Sequence, residues 1–244
     1  MPEGPSIVIL KEALQTYKGK KVLSASGNAK IDFSRINNQK IVDFKSWGKH
    51  FLICFKGFYL RIHLLMFGSY TINEKKDREP RMSLEFTNGE INFYTCSIKL
   101  IEGDPENDYD WEVDVMADEW NASKAEKTIK EMPEEKVCDL LLNQDVFSGV
   151  GNIIKNEVLF LTKIHPDSLA GALPSKKRKE LIKVARSYSF DFYTWKKAFV
   201  LKKHWQIYKK KVCPRCNLAV ETTYIGKTKR LTCFCPNCQD LFSM

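Results

Sequence analysis

The sequence predicts an α+β protein of two domains, in which an N-terminal helix and a β-sandwich precede a helical domain that ends in a zinc ribbon. An amphipathic helix pattern opens the chain, and short β-rich runs fill the rest of its first half. Helical patterns and two Cys-x-x-Cys pairs occupy the second half. We expect a sandwich domain over 1–122, a linker over 123–132, a helical domain over 133–211 and a ribbon over 212–244.

The charge balance indicates a polyanionic partner. The 244 residues include 39 Lys and Arg against 30 Asp and Glu, which gives a net charge of +9 and a pI near 9.0. Nucleic acid is the first candidate and an acidic membrane surface the second. The most apolar region, 51–67, is interrupted by Lys56, Arg61 and His63, so no membrane-spanning helix is expected. The first residues lack a signal-peptide pattern, which predicts a cytoplasmic protein, associated with the nucleoid in a bacterial cell.

The first five residues are Met-Pro-Glu-Gly-Pro. Removal of Met1, which is usual before a small residue, would leave Pro2 with a free secondary amine that can act as a nucleophile. Glu3 beside it could move the protons that attack on a carbonyl-like carbon requires. The alternative is an ordinary start followed by a helix entry, because Pro5 suits a first helical turn. Taken alone, so short a motif favours the alternative.

The first helix and the strands follow from hydrophobic periodicity. Apolar residues at Ile7, Leu10, Leu14 and Tyr17 predict an amphipathic helix over 6–17. β-rich runs then predict eight strands. These are 21–25, 40–46, 51–55, 58–63, 69–72, 82–87, 90–96 and 98–101. The pair Asn88-Gly89 predicts a two-residue hairpin turn.

The middle of the chain is acidic, and its end is helical and basic. The acidic residues of 103–118 fit no calcium loop and predict a solvated loop. Helices are expected over 134–142, then from a double-glycine turn at 149–151 to about Lys163, and from Ser175 onward. The Lys- and Arg-rich face of the last helix and the Lys, Trp and His residues of 195–211 suit a solvated surface and a nucleic-acid surface equally.

Two Cys-x-x-Cys pairs separated by 18 residues close the chain. Four thiolates presented from two tight turns suit tetrahedral zinc, so the spacing predicts one structural zinc ion. The ligands would be Cys213, Cys216, Cys235 and Cys238. A hairpin turning at Gly226-Lys227 would join the pairs, and Cys233 would be left over.

Three separated motifs resemble one known family, the endonuclease VIII branch of the formamidopyrimidine-DNA glycosylase superfamily. The first five residues resemble its N-terminus. A second set resembles its helix-two-turns-helix motif: Gln144, Val146, Gly149, Gly151, Asn152, Glu157 and Ile164-His165-Pro166. A third set, Arg230, Thr232 and Gln239 with the four cysteines, resembles its terminal zinc finger. The motifs cover nearly the whole chain in the family's order, which favours the nucleophilic interpretation of Pro2.

The resemblance implies a bifunctional DNA glycosylase and abasic-site lyase. Pro2 would attack the sugar carbon of the damaged nucleotide, expel the base and form a Schiff base that permits strand cleavage by β,δ-elimination. Glu3 would be the acid/base group, and Lys49 would contact the backbone phosphate near the lesion. Asn152, at a helix start, and Arg230, on the zinc hairpin, would hold other phosphates.

The resemblance also implies an apolar wedge that fills the gap left when the damaged base leaves the stack. Leu65, Met66 and Phe67 are the expected wedge, although such a run also suits a core strand. The chain has Ser6 where many relatives have a second glutamate, and its wedge lacks the glutamine of the enterobacterial pattern. Only 46 residues separate Pro166 from Cys213, which leaves little room for a loop covering 8-oxoguanine. Oxidised pyrimidines are therefore the expected substrates.

The expected partner is double-stranded DNA with a damaged base or an abasic site, bound by a monomer with neither a membrane nor an obligate protein partner. Two other interpretations stay open. A catalytically silent DNA-binding zinc protein would recognise damage or structure through the same modules. An RNA- or protein-binding zinc-ribbon factor would explain the charge but would leave Pro2, Glu3 and Lys49 without a role.

Overall fold

The computed structural model describes residues 2–243, which form two compact units. The chain up to Asp110 makes the first unit, and the chain from Trp111 makes the second. The first is an antiparallel β-sandwich with a leading helix, and the second is helical with a terminal β-hairpin. The α+β class predicted from the sequence is confirmed. Within the described residues, no helix combines the length and the apolar character needed to cross a membrane.

The first unit begins with helix α1, and eight strands follow. Its elements are α1 (Gly4–Ala13), β1 (Ser24–Ser26), β2 (Asp43–Trp47), β3 (His50–Cys54), β4 (Phe58–His63), β5 (Ser69–Ile72), β6 (Met82–Phe86), β7 (Gly89–Tyr94), β8 (Ser97–Glu102) and the short helix α2 (Pro105–Asp108). Pro5 lies in the first turn of α1, where a missing N–H costs nothing. The predicted hairpin turn is shifted by one residue, since Phe86 pairs with Gly89 and the loop is Thr87-Asn88.

Two four-stranded antiparallel sheets form the sandwich, in the orders β1-β6-β7-β5 and β2-β3-β4-β8. Their inner faces share one core with α1, whose Ile7, Leu10 and Leu14 are fully buried. In the second sheet, Phe51 and Ile62 are opposite one another and face this core. The neighbouring pairs, His50 with His63 and Leu52 with Arg61, face outward, as the period of two along a strand requires.

The outer face of the second sheet is covered by the acidic segment that the sequence analysis assigned to a solvated loop. The acidic side chains of 103–110 are exposed, as that prediction requires, but the segment includes helix α2 and contacts the sheet. The carboxylate of Glu106 forms an ion pair with Lys45. The hydroxyl of Tyr59 donates to Asp108 Oδ2 over 2.7 Å, and Trp47 Nε1 donates to the Asp110 carbonyl over 2.9 Å.

The second unit contains four helices and one hairpin. Its elements are α3 (Ala122–Lys130), α4 (Val137–Leu140), α5 (Asn152–Leu161), α6 (Ser175–Lys197), β9 (Glu221–Ile225) and β10 (Arg230–Phe234). Helix α5 is buried along nearly its whole length and contacts both α6 and β10. Cys213, Cys233 and Cys235 are part of the same core as the helices. The ribbon is therefore packed into the helical unit.

The boundary between the units lies earlier than the predicted one at residue 122. Val113 and Val115 pair with Ser148, through N–H to carbonyl distances of 2.8 and 3.1 Å. Val115 is fully buried in the second core, and this burial attaches the segment to the second unit. The expected linker 123–132 is mostly helix α3, which buries Ala125 and Ile129 in that core.

Candidate functional site

The N-terminus of α1 holds the first two candidate residues. Pro2 is half-buried, and Glu3 is fully buried at the N-cap position. The backbone N–H of Glu3 donates to Ser6 Oγ over 3.4 Å, and the N–H of Ser6 donates to the Glu3 carbonyl over 2.8 Å. Ser6 therefore fixes the backbone of Glu3. The helix N-terminus places a positive partial charge beside Pro2, and this field favours the unprotonated form of a nearby amine.

Lys49 lies in the tight turn between β2 and β3, where Gly48 has φ +50°. His50 follows it, on the outer face of the sheet and opposite His63. Burial, followed by the charges of Arg61, His63 and Lys49, lowers the pKa of His50 to about 4. Burial also lowers the pKa of His63, whose Nδ1 accepts the Leu65 N–H over 3.1 Å. Both imidazoles are neutral at pH 7, which leaves the positive charge of this surface to Lys49 and Arg61.

Leu65, Met66 and Phe67 lie in the turn between β4 and β5, outside the sheet. Their exposed fractions are 48, 47 and 77%, which is unusual for three consecutive large apolar residues. The turn is tight, since Gly68 N–H donates to the Leu64 carbonyl over 2.7 Å and a Cβ at Gly68 would lie 2.0 Å from that oxygen. The structure thus places these three residues in an exposed turn and not in a core strand.

In the second unit, Asn152 is the first residue of α5 and follows the double-glycine turn. Gly149 has φ +97°, which a residue with a side chain rarely adopts. The Gln144 side chain closes this turn, because its amide donates to the Leu142 and Val150 carbonyls and its oxygen accepts the Gly149 N–H. The turn therefore fixes where α5 begins and places Asn152 at its N-terminus, where the helix carries a positive partial charge.

Polar side chains of α5 attach strand β10 to the helix. Asn152 Nδ2 donates to the Leu231 carbonyl over 2.9 Å. The fully buried Lys155 donates to Thr232 Oγ1 over 2.7 Å. Asn156 Oδ1 accepts the Cys233 N–H over 2.6 Å. Since three successive residues of β10 are bound, the register of the strand against the helix is fixed.

The tip of the hairpin is attached to α4. Both carboxylate oxygens of Asp139 accept the Lys227 N–H, each over 3.0 Å. Gly226 has φ +81°, and a Cβ there would lie 2.3 Å from Asp139 Oδ1. Arg230 begins β10, is exposed, and forms no ion pair with any residue from 2 to 243. The guanidinium thus stands on a fixed strand and is available to an anion.

The four cysteines of the two Cys-x-x-Cys pairs meet at one point. All four Sγ atoms lie within 4.8 Å of one another. Cys213 and Cys238 are 3.9 Å apart, and Cys216 and Cys235 are 3.5 Å apart. Tetrahedral zinc with sulfur at about 2.3 Å requires sulfur atoms about 3.8 Å apart, so the geometry fits zinc. Cys233 lies outside the group and accepts the Lys209 N–H over 3.4 Å.

The structure thus brings the candidate residues together in two groups. Pro2 and Glu3 are adjacent in the first unit. Asn152, Arg230 and the cysteine cluster are connected through β10 in the second. Lys155 and Asp139 were missed by the sequence analysis. A lysine within the otherwise apolar run of α5 was the one available signal for the first of them.

Two family models match the chain. The formamidopyrimidine-DNA glycosylase N-terminal domain matches residues 1–97, and the formamidopyrimidine-DNA glycosylase H2TH domain matches residues 112–188. Mouse (Mus musculus) endonuclease 8-like 3 is 34% identical over 201 residues, which are 79% of this chain and 33% of that protein. Mouse endonuclease 8-like 2 is 32% identical over 200 residues, 76% of this chain and 59% of that protein. The chain spans about a third to three fifths of the length of these relatives.

Solved structures share the fold over nearly the whole chain. A Lactococcus lactis formamidopyrimidine-DNA glycosylase bound to DNA with an abasic site has a TM-score of 0.86 and 21% identity, and the match covers 97% of this chain and 99% of that one. A viral DNA glycosylase has a TM-score of 0.84 at the same identity, with coverage of 97 and 99%. At this identity the likeness establishes the fold.

Proposed function

The chain belongs to the formamidopyrimidine-DNA glycosylase superfamily, in the endonuclease VIII-like branch, and from this premise we propose that it excises oxidised bases from DNA and cleaves the strand at the resulting abasic site. The observation that carries the proposal is the pair at the start of α1. A fully buried carboxyl group, Glu3, directly follows the half-buried Pro2. The amine would be the nucleophile and the carboxyl group the proton carrier.

The chemistry begins with removal of Met1. The lone pair of the Pro2 nitrogen forms a bond to C1′ of the damaged nucleotide, and the bond from C1′ to the base breaks. The base leaves with the bonding electrons and takes a proton, while Glu3 protonates the sugar oxygen as the ring opens. The C1′ iminium then acidifies C2′, so that loss of a C2′ proton expels the 3′ phosphate. A second elimination expels the 5′ phosphate, and water releases the sugar fragment.

Contacts to DNA would come from both units. Lys49 and Arg230 would bind backbone phosphates, and Asn152 at the N-terminus of α5 would bind another. The exposed turn 65–67 would enter the stack where the damaged base leaves it, since apolar side chains replace lost stacking without requiring hydrogen bonds. We propose oxidised pyrimidines as the preferred substrates, and a monomer as the active form.

We propose that the cysteine cluster binds one zinc ion, because its four sulfur atoms have nearly tetrahedral spacing. Bound zinc would be structural, holding the two cysteine turns together. The protein's own contribution is to attach the hairpin to α4 and α5, which places Arg230. Metal analysis of protein purified without added zinc would test this assignment, with one equivalent expected.

The decisive experiment traps the covalent intermediate. Duplex DNA with an abasic site or an oxidised pyrimidine is incubated with the protein and borohydride, and the adduct is digested and mapped. The proposal expects one adduct, located on the peptide that begins at Pro2. A form with an extra residue retained ahead of Pro2 should bind the same DNA and form no adduct.

Two variants separate the roles of the first residues. Pro2→Gly keeps an amine but changes its basicity, so trapping should persist at a reduced rate. Glu3→Gln keeps the shape of the side chain and removes its acid function, and base excision should fall by about 100-fold or more. A zinc-loaded chain that binds lesion DNA but forms no adduct would instead support a catalytically silent DNA-binding protein.

A further inference from the structure

The end of helix α6 presents one aromatic side chain in an unusual position. Phe199 is 96% exposed, more than any other large apolar residue described, and its φ is +59°. Two hydrogen bonds define the helix end. The N–H of Phe199 donates to the Lys196 carbonyl over 3.1 Å, and the N–H of Val200 donates to the Trp195 carbonyl over 2.9 Å. This is a Schellman motif, in which the position of Phe199 is normally taken by glycine.

Phenylalanine at this position is unfavourable for folding in two ways. A left-handed backbone strains a residue that carries a Cβ, and an exposed ring gains nothing from burial. The turn keeps this unfavourable residue although its other contacts are well formed. Trp195 and His204 stack across its two ends, with ring centres 4.1 Å apart and planes within 2°. The backbone that carries the ring is therefore held in place, and a strained, exposed residue in a well-held turn indicates a ligand that binds it.

The charges around this ring identify the chemistry of the ligand. Lys196, Lys202 and Lys203 flank Phe199, and none of them forms an ion pair with another residue of the described chain. Between Phe192 and Val220 there are eight Lys or Arg residues and no Asp or Glu. An exposed aromatic ring with cations close to it in sequence suits a nucleobase with its adjacent phosphates. A single projecting ring suits stacking on one base, whereas insertion into a membrane surface requires a larger apolar face.

We propose that the turn 196–204 is a binding site for an unpaired nucleotide of DNA, with Phe199 stacking on the base and Lys196, Lys202 and Lys203 binding the adjacent phosphates. The inference rests on the proposed function only in taking DNA as the partner. The turn would hold single-stranded DNA, or a nucleotide displaced beside a lesion, independently of any chemistry at Pro2.

The test measures binding to undamaged DNA, so it does not depend on catalysis. Fluorescence anisotropy compares a labelled oligothymidylate with a blunt duplex for the native chain, Phe199→Gly and Phe199→Leu. We expect Phe199→Gly to weaken single-strand binding by roughly 5- to 30-fold, the usual effect of losing one stacked base, and to change duplex binding less than twofold. The same variant should melt at an equal or higher temperature, since glycine relieves the strained backbone. Phe199→Leu should weaken binding in the same direction.

A second arm examines the lysines and the location of the contact. For single-strand binding, the slope of log K against log salt concentration should become shallower in a triple alanine variant at Lys196, Lys202 and Lys203. The expected change is about 0.7 per lysine. A triple alanine variant at the exposed Lys30, Lys56 and Lys127 serves as the matched control. An oligonucleotide with 5-iododeoxyuridine should photocrosslink to the peptide that contains Phe199.

The outcomes separate this inference from the proposed function. If Phe199→Gly binds oligothymidylate within twofold of the native chain while lesion processing is normal, the inference alone is overturned. If the native chain binds no DNA, both fail. Phe199-dependent binding to anionic phosphatidylserine vesicles, with no effect on DNA, would overturn the inference in favour of a membrane contact.

Discussion

Substitution of Gly226 by alanine tests whether the stability of the hairpin β9–β10 depends on its attachment to helix α4. Gly226 adopts φ +81°, and an added Cβ would lie 2.3 Å from Asp139 Oδ1. Alanine in this backbone region costs about 1–2 kcal/mol. Relief of the clash requires Asp139 to move away from the Lys227 N–H, which loses a hydrogen bond to a charged group worth about 1.5–3 kcal/mol. We expect a total loss of about 3–4 kcal/mol.

The assay is urea unfolding followed by tryptophan fluorescence, because four of the five tryptophans lie beyond Asp110. A double-mutant cycle separates the two costs. In an Asp139→Ala background the clash and the hydrogen bond are both absent, so Gly226→Ala should cost only the backbone strain of about 1–2 kcal/mol. Gly57→Ala provides a reference for strain alone, since Gly57 has φ +85° and no atom within 4 Å of an added Cβ.

Additive costs in the cycle would refute this account, because they would mean that Gly226 and Asp139 act independently. A coupling energy near 2 kcal/mol would support it. The functional consequence can be measured with the same variants. Displacement of the tip should move Arg230 and weaken binding to duplex DNA, whereas Gly57→Ala should leave that binding unchanged.

Three further predictions concern the metal, a buried carboxylate and acid sensitivity. Cys216→Ser removes one of four sulfur ligands, so bound zinc measured by atomic emission should fall below one equivalent after dialysis against a chelator, and the second unit should melt earlier. Glu157→Gln should cost about 2 kcal/mol in urea unfolding, because the carboxylate accepts the N–H groups of Gln206, Ile207 and Tyr208 and an amide nitrogen cannot. His50 has a folded pKa of about 4 against 6.5 unfolded, so the unfolded chain binds more protons between these values. The free energy of unfolding should therefore decrease as the pH falls from 6.5 to 4, by about 2 kcal/mol after allowance for the partial exposure of His50, and His50→Phe should remove most of that slope.

The strands of the first unit could be predicted because each is a short β-rich run bounded by turn signals in the sequence. The eight expected runs correspond to the eight strands, and the strand at 58–63 has the predicted bounds. The acidic segment could not be placed by the same reasoning, since its partners lie far away in sequence. Lys45 and Glu106 are brought together only when β2 and α2 meet on the outer face of the sheet.

The cysteine cluster could be predicted from the sequence, whereas the polar attachments of the hairpin could not. Cysteine spacing predicts four converging sulfur atoms, because each Cys-x-x-Cys pair is a local turn. The contacts of Asp139 with Lys227 and of Lys155 with Thr232 join residues 88 and 77 positions apart. Local sequence patterns carry no signal for such pairings.

The arrangement around Arg230 gives the hairpin β9–β10 a positional role. The strand that bears this residue is held at its tip by Asp139, along its length by Lys155 and Asn156, and beyond its end by the cysteine cluster. These three attachments restrict the position of the strand. The guanidinium of Arg230 can itself bind phosphate, so the attachments serve to position it. It follows that losing any one attachment should weaken DNA binding without changing the reactivity of the Pro2 amine. Under the proposed function, chemistry at Pro2 and binding to the DNA backbone should therefore respond to separate substitutions.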